Sequence, residues 1–280
     1  MPGTEARSIA GLALILTLAL APVAHAAAGD LDLVSRANGA AGASGNGSSQ
    51  LPVTSKDGHL VAFSSSATNL TADTVPAGVR QAYVRDLTAG TTVLASAAAN
   101  ANVSDVGMSD DGRYVVFGTR ATNLGPTAPG IDRVFVRDTV ANTTTLVLEN
   151  AVRPAISADG TTIAVCSNAN IAGTGATGAG LKVYAYGIAT HGFELISRNS
   201  VGAFTGDNPS LSDEGNTIAF SGQGGTAQVW VRDRAAQTTT LASRVRQRRP
   251  AGVRRRDRAR HLRQRALRRL PLGGHEPLRR

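Results

Sequence analysis

The chain has 280 residues, 42% of them apolar, which is enough for a sizeable buried core, and its single cysteine excludes an internal disulfide. The formal charge of +9 belongs to one end. Residues 244–280 hold 15 arginines against two acids, whereas residues 29–243 hold 13 basic and 17 acidic side chains. The body is mildly acidic and has no electrostatic footprint for nucleic acid.

Residues 1–28 read as a secretory signal peptide. Arg7 supplies a positive start. Ile9 to Ala21 is an apolar run too short to span a bilayer comfortably. Ala24-His25-Ala26 or Ala26-Ala27-Ala28 then offers a small-x-small cleavage site. No cysteine stands beside it, so no lipid anchor and no stable membrane insertion after cleavage are expected. The mature protein is therefore expected to be exported, periplasmic or extracellular. Export without disulfides suits a bacterial envelope or exterior. Cys166, on an expected strand, reads as a small buried core residue.

The body, 29–243, is repetitive. Four strings share one pattern: SKDGHLVAF (55–63), SDDGRYVVF (109–117), SADGTTIAV (157–165) and SDEGNTIAF (212–220). Their glycines, Gly58, Gly112, Gly160 and Gly215, lie 54, 48 and 55 residues apart. A period near 50 without a helical pattern inside it predicts β-propeller blades. Asp-Gly, or Glu-Gly in the fourth unit, marks a hairpin whose glycine takes positive φ and whose serine bonds the turn backbone. After each glycine, bulky residues three and five positions on (Val61 and Phe63 in the first unit) flank a mostly small one (Ala62). Large-on-small alternation lets twisted sheets stack face to face.

The hairpin supplies strands a and b. A third strand, c, is expected at 82–86, 134–138, 183–187 and 229–233, with an aromatic at Tyr83, Phe135, Tyr184 and Trp230. A fourth, d, is expected at 91–96, 143–148, 193–198 and 238–243. The expected fold is all-β: four readable four-stranded blades at 37–96, 97–148, 149–198 and 199–243, forming an incomplete ring. Leu33-Val34-Ser35-Arg36 copies Leu195-Ile196-Ser197-Arg198 and Leu241-Ala242-Ser243-Arg244. Residues 30–36 thus read as an orphan N-terminal closing strand.

The Arg-Asp pairs at 85–86, 137–138 and 232–233 recur at one place in the repeat and read as blade geometry rather than ligand-binding charges. Turns a–b and c–d are tight. The loops at the opposite end are long: 70–81, 124–132 and 171–180 between b and c, and 97–103 and 199–207 between d and a. Long, variable loops on a rigid scaffold are where binding resides.

After Ser243 the repeat stops. The Arg-rich stretch 244–280 invites two readings, a disordered basic tail or a segment for nucleic acid or membrane. A lost reading frame fits better. Codon choices exist that turn ARHLRQRALRRLPLGGHEP (259–277), read one base on, into PAISANGRYVAFLSAATNL. That string echoes RPAISADG (153–160), RYVVF (113–117) and ATNL (67–70 and 121–124), and its glycine falls at codon 265, 50 residues after Gly215. The tail is therefore expected to be an out-of-frame fifth blade.

The pattern P-x-I-S-x-D-G-x-x-V-A-F-S-S-x-A-T-N-L … V-x-V-R-D-x-x-x-G-T-T resembles the TolB-like, WD40-like β-propeller repeats of bacterial exported proteins, over roughly residues 30–243. The resemblance implies a periplasmic scaffold that binds other envelope proteins. Related propellers also stand as lids beside serine peptidase domains.

No catalytic, cofactor-binding or metal-ligating constellation stands out. Gly173-Thr174-Gly175-Ala176-Thr177-Gly178 matches G-x-G-x-x-G but sits in an expected b–c loop with no helix after it. His59 and His191 are lone turn histidines. No G-x-S-x-G elbow and no calcium-loop pattern is present. The expected function is a non-catalytic, exported binding or scaffolding protein, engaging a protein or envelope component through the long b–c and d–a loops. The alternative is the accessory propeller of an exported hydrolase or peptidase.

Overall fold

In the computed structural model the described residues are 31–39, 42–125, 128–224 and 226–243. The expected signal peptide at 1–28 and the Arg-rich tail at 244–280, with its offset-frame reading, lie outside them.

All regular structure among the described residues is β. Blade 1 contains β1 (Ser49–Thr54), β2 (Leu60–Ser65), β3 (Gln81–Asp86) and β4 (Thr91–Leu94). Blade 2 contains β5 (Val103–Met108), β6 (Tyr114–Thr119), β7 (Arg133–Asp138) and β8 (Thr143–Glu149). Blade 3 contains β9 (Ala151–Ile156), β10 (Thr162–Ser167), β11 (Lys182–Gly187) and β12 (Phe193–Leu195). A two-stranded ribbon, β13 (Arg198–Asn199) with β14 (Gly202–Ala203), leads to blade 4. That blade contains β15 (Gly206–Leu211), β16 (Thr217–Gly224), β17 (Thr226–Asp233) and β18 (Thr238–Leu241). Each blade is an antiparallel meander in sequence order.

The a–b hairpins explain the repeated Ser-x-Asp-Gly. In blade 1 the Ser55 hydroxyl donates to Asp57 Oδ1 at 2.6 Å and accepts from the Leu60 amide at 3.0 Å. Ser109 and Ser157 repeat both bonds, and Ser212 keeps the second with Thr217. The glycine then takes φ between 65° and 74° in all four units.

The Arg-Asp pairs serve the c–d turns. Arg85 is 3% exposed, and its Nη1 bonds Thr92 Oγ1 at 3.1 Å. Arg137 and Arg232 make the same bond to Thr144 and Thr239. Asp86 and Asp138 each accept two turn amides, and Asp233 accepts one.

Strand d ends at a Leu-x-Ser signature. The Ser96, Ser197 and Ser243 hydroxyls take the strand c amides of Ala82, Val183 and Val229 at 3.0, 3.1 and 3.2 Å. A side-chain oxygen thus replaces the next carbonyl, and the ladder stops. This is why β12 is shorter than the 193–198 expected from sequence.

Blades stack large face on small face. Phe117 and Phe135 of blade 2 bury Ala62, Ala82 and Val84 of blade 1. Ile163, Val165 and Tyr184 of blade 3 cover Val116, Val134 and Val136 of blade 2. Ile218 and Phe220 of blade 4 cover Ala164, Val183 and Ala185 of blade 3. Each such aromatic contributes about 1.5–3 kcal/mol on burial.

The first strands pack β1 on β5, β5 on β9 and β9 on β15. The array is a propeller arc that does not close into a ring; from blade 4 to blade 1 Lys56 Nζ reaches Asp213 Oδ2 at 2.8 Å. The N-terminal copy, 33–36, joins none of the four sheets. It lies on blade 1, where Val34 packs on Phe63 and Tyr83 and Thr92 Oγ1 donates to the Arg36 carbonyl at 2.6 Å.

Candidate functional site

Two features single themselves out from the repeat: the channel lined by the first strands, and the long-loop end of the arc. Three of the four first strands carry a bulge before a proline. Leu51, Arg153 and Asn208 sit at φ 56°, 52° and 47°, just ahead of Pro52, Pro154 and Pro209. A left-handed conformation is costly for a side-chain-bearing residue, and α-type conformations are disfavoured before proline. The ladder registers shift at these points, between Gln50 and Val53 and between Asp207 and Ser210. In blade 2 the register shifts between Val103 and Asp105 without a proline, so a bulge re-aims one residue in each blade.

That residue is Leu51, Asp105, Arg153 and Asn208 in turn, and together with the prolines they line a cavity of about 360 Å³. Framework positions repeat from blade to blade; this position changes in every blade. Arg153 Nη1 binds both oxygens of Asp207, at 2.6 and 2.7 Å. Burial pushes the neighbouring Cys166 thiol up to about 12, and the Asp207 carboxylate adds to that. The arrangement offers a carboxylate, an ion pair, an amide and apolar edges.

A second cavity, of about 340 Å³, opens at the long-loop end between blades 3 and 4, beside Leu181, Thr205, Asp207 and Ser221. The loops around this end are held from below by the first residue of strand c. Arg133 is fully buried and donates to the Ile131 and Ala128 carbonyls, with its Nε 2.9 Å from Glu149 Oε1. Lys182 is 1% exposed and its Nζ donates to the Gly178 and Gly180 carbonyls. Gln81 donates to the Ala99 carbonyl at 2.8 Å. Sequence reasoning passed over these three; their signal was a polar residue opening an otherwise apolar strand.

The repeated ATNL forms a second fastening. In blade 1 the Asn46 amide donates to Asn69 Oδ1 at 2.9 Å, while Thr68 N–H donates to Asn46 Oδ1 at 2.7 Å. Asn100, Thr122 and Asn123 repeat this reciprocal clasp in blade 2. The Tyr83 and Tyr184 hydroxyls donate to the Ala67 and Ala169 carbonyls of the b–c loops. Trp230, whose strand pairs with β16 as far as Gly224 and Thr226, has a buried Nε1 with no acceptor among the described residues.

The G-x-G-x-x-G stretch lies in the b–c loop before β11, with Gly173, Gly175 and Gly178 all at positive φ. Lys182 fastens that loop from beneath. His59 Nδ1 is 3.1 Å from Thr88 Oγ1, and His191 Nδ1 is 2.6 Å from the Tyr186 hydroxyl. Among the described residues no group of three or more His, Cys, Asp or Glu side chains is placed to hold a metal, and no helix is long and apolar enough to cross a membrane.

Sequentially wound four-stranded sheets stacked about one axis define a β-propeller. No family model matches the sequence, and no curated protein matches it. Among solved structures the chain is similar to a putative TolB from Agrobacterium tumefaciens, with 17% identity and a TM-score of 0.49, over 74% of this chain and 67% of that one. It is similar to the β-propeller domain of the Trilobed protease from Pyrococcus furiosus, described as having an open velcro topology, with 12% identity and a TM-score of 0.39, over 70% and 71%. It is also similar to the Pyrococcus horikoshii acylaminoacyl peptidase, with 14% identity and a TM-score of 0.44, over 71% of this chain but 33% of that one.

Proposed function

We propose that the chain is an exported, non-catalytic propeller that binds a protein or another envelope component through its long-loop end. The observation that carries this reading is the fastening of the loops. Arg133 and Lys182 lie buried with their donors spent on loop carbonyls. Burying a cation is costly unless its hydrogen bonds are made. Here those bonds fix the loops, which preorganises them for contact. Val201, in the connector ahead of blade 4, stands 94% exposed at that end.

The test is site-specific photo-crosslinking of the full chain in its native host. Probes go at Asn170 and Val201 on the long-loop end, and at Val140 in the c–d turn of blade 2, which is 77% exposed at the opposite end. One discrete adduct, recovered from the envelope or exterior fraction with the first two probes and absent with the third, is expected. No adduct, or equal labelling from all three probes, removes the reading.

A further inference from the structure

We infer that the outer face of blade 4 is the seat of a fifth blade, and that codons 259–277, read one base on, encode that blade's first two strands. The inference is independent of what the long loops bind.

The face itself comes first. Blades 1, 2 and 3 each present a small-residue face that the next blade covers. Ala62, Ala82 and Val84, then Val116, Val134 and Val136, then Ala164, Val183 and Ala185 are all at most 6% exposed. Ala219, Val229 and Val231 occupy the same positions in blade 4. There Ala219 and Val231 are only half-buried and Val229 is 46% exposed. The face continues an interface used three times in the array, with the covering layer missing.

The turn glycines give an independent sign. A Cβ at Gly112, Gly160 or Gly215 would lie 2.6, 2.8 or 2.7 Å from Leu60, Tyr114 or Thr162, the residue that opens strand b in the preceding blade. Each glycine is therefore also an inter-blade contact. Gly58, with no blade before it, faces open space. Thr217 opens strand b of blade 4 and is exposed, with no glycine above it.

The offset-frame string supplies the matching parts in register. Its glycine falls at codon 265, placed to cover Thr217. A valine three codons on and a phenylalanine five codons on reproduce the bulky pair of Val115 with Phe117 and of Ile218 with Phe220. That pair is what covers a small face everywhere else in the arc.

The first measurement is the genomic sequence of codons 244–280. The string PAISANGRYVAFLSAATNL in the offset frame is expected; any other string there overturns the inference. The second compares the full chain as it stands with the full chain in the restored frame, by hydrogen exchange of β16–β18. Restoration is expected to slow β17 amides by about tenfold or more. In the restored chain Val229→Asp lowers the Tm, the milder Val229→Thr lowers it less, and neither moves the Tm of the chain as it stands. Unchanged exchange on restoration overturns the inference. So does a defined dimer of the chain as it stands that already protects β17, because a second copy would then be the occupant.

Discussion

Cys166 and the clasp asparagines show how far single residues are fixed by their surroundings. The Cys166 thiol is buried on the small face of blade 3, and desolvation first, then the Asp207 carboxylate, raise it to about 12. Only the thiolate alkylates readily. Iodoacetamide at pH 8 is therefore expected to label Cys166 at the rate of unfolding, and labelling in the native state at the rate of a free thiol would contradict the burial. The clasp makes a second case. Asn100 gives or takes three hydrogen bonds between the d–a connector and the b–c loop of blade 2. Asn170, in the b–c loop of blade 3, is exposed and outside any such clasp. At about 0.5–1.5 kcal/mol per bond, with some replaced by water, Asn100→Ala is expected to cost about 1–2 kcal/mol. Asn170→Ala is expected to stay within about 0.5 kcal/mol. Equal denaturant midpoints for the two variants would show that the clasp does not stabilise the fold.

At the scale of the element, the a–b hairpin does two jobs, and its glycines separate them. Gly58→Ala meets only the cost of a left-handed conformation, about 1–2 kcal/mol. Gly215→Ala meets that cost and also drives a methyl group against the Cβ of buried Thr162 in the neighbouring blade, 2.7 Å away. Such overpacking adds about 1–3 kcal/mol. Thermal melts should therefore place Gly215→Ala clearly below Gly58→Ala; coincident curves would show that the turns do not touch across the junction. The turns also set an acid limit. The Arg113 guanidinium holds the Asp138 carboxyl below the usual carboxylate range, with help from the Ala141 and Val140 amides. At Asp159, burial pushes upward but is outweighed by hydrogen bonds from Ser157 and Thr161. A carboxyl whose folded value is depressed contributes stability above its unfolded value, near ~3.9, and loses it as pH falls through the folded value. The Tm is expected to fall most steeply below about pH 4. Asp138→Asn, which keeps an acceptor for the turn amides but not the charge, should flatten that fall, and parallel profiles would exclude the contribution.

The same scale shows what the sequence made legible. Ser-x-Asp-Gly, Arg-Asp and the bulky–small alternation announce hairpins, turns and stacking faces because each acts within a few residues of itself. The fastening by Arg133 and Lys182 was hidden because its partners are loop carbonyls, and any residue supplies a carbonyl. The channel position was hidden for the opposite reason: Leu51, Asp105, Arg153 and Asn208 share no chemistry, and only the common bulge brings them together.

Over the whole molecule, stability is distributed by neighbours. Each blade packs its sheet only on the blades beside it, and blades 1 and 4 meet only through the exposed Lys56–Asp213 ion pair among the described contacts, so the open arc behaves as a one-dimensional stack whose ends open first. Blades 2 and 3 are covered on both faces. Blade 1 is covered on its leading face by residues near the N-terminus, through Val34 and the close approach of Gly45 to Leu70. Blade 4 has one covered face and one bare one, with Val229 at 46% exposure. Its strands can separate from the arc by exposing a single interface, whereas blade 3 must break two. Hydrogen exchange followed by mass spectrometry should therefore rank the amides of β6, β7, β10 and β11 as slowest, and those of β17 and β18 as markedly faster. Blade 1 should fall between these limits, because a short segment covers its outer face in place of a whole sheet. Exchange at one common rate across all four blades would mean that the arc unfolds as a single unit, and that the coupling between blades exceeds what these junctions supply.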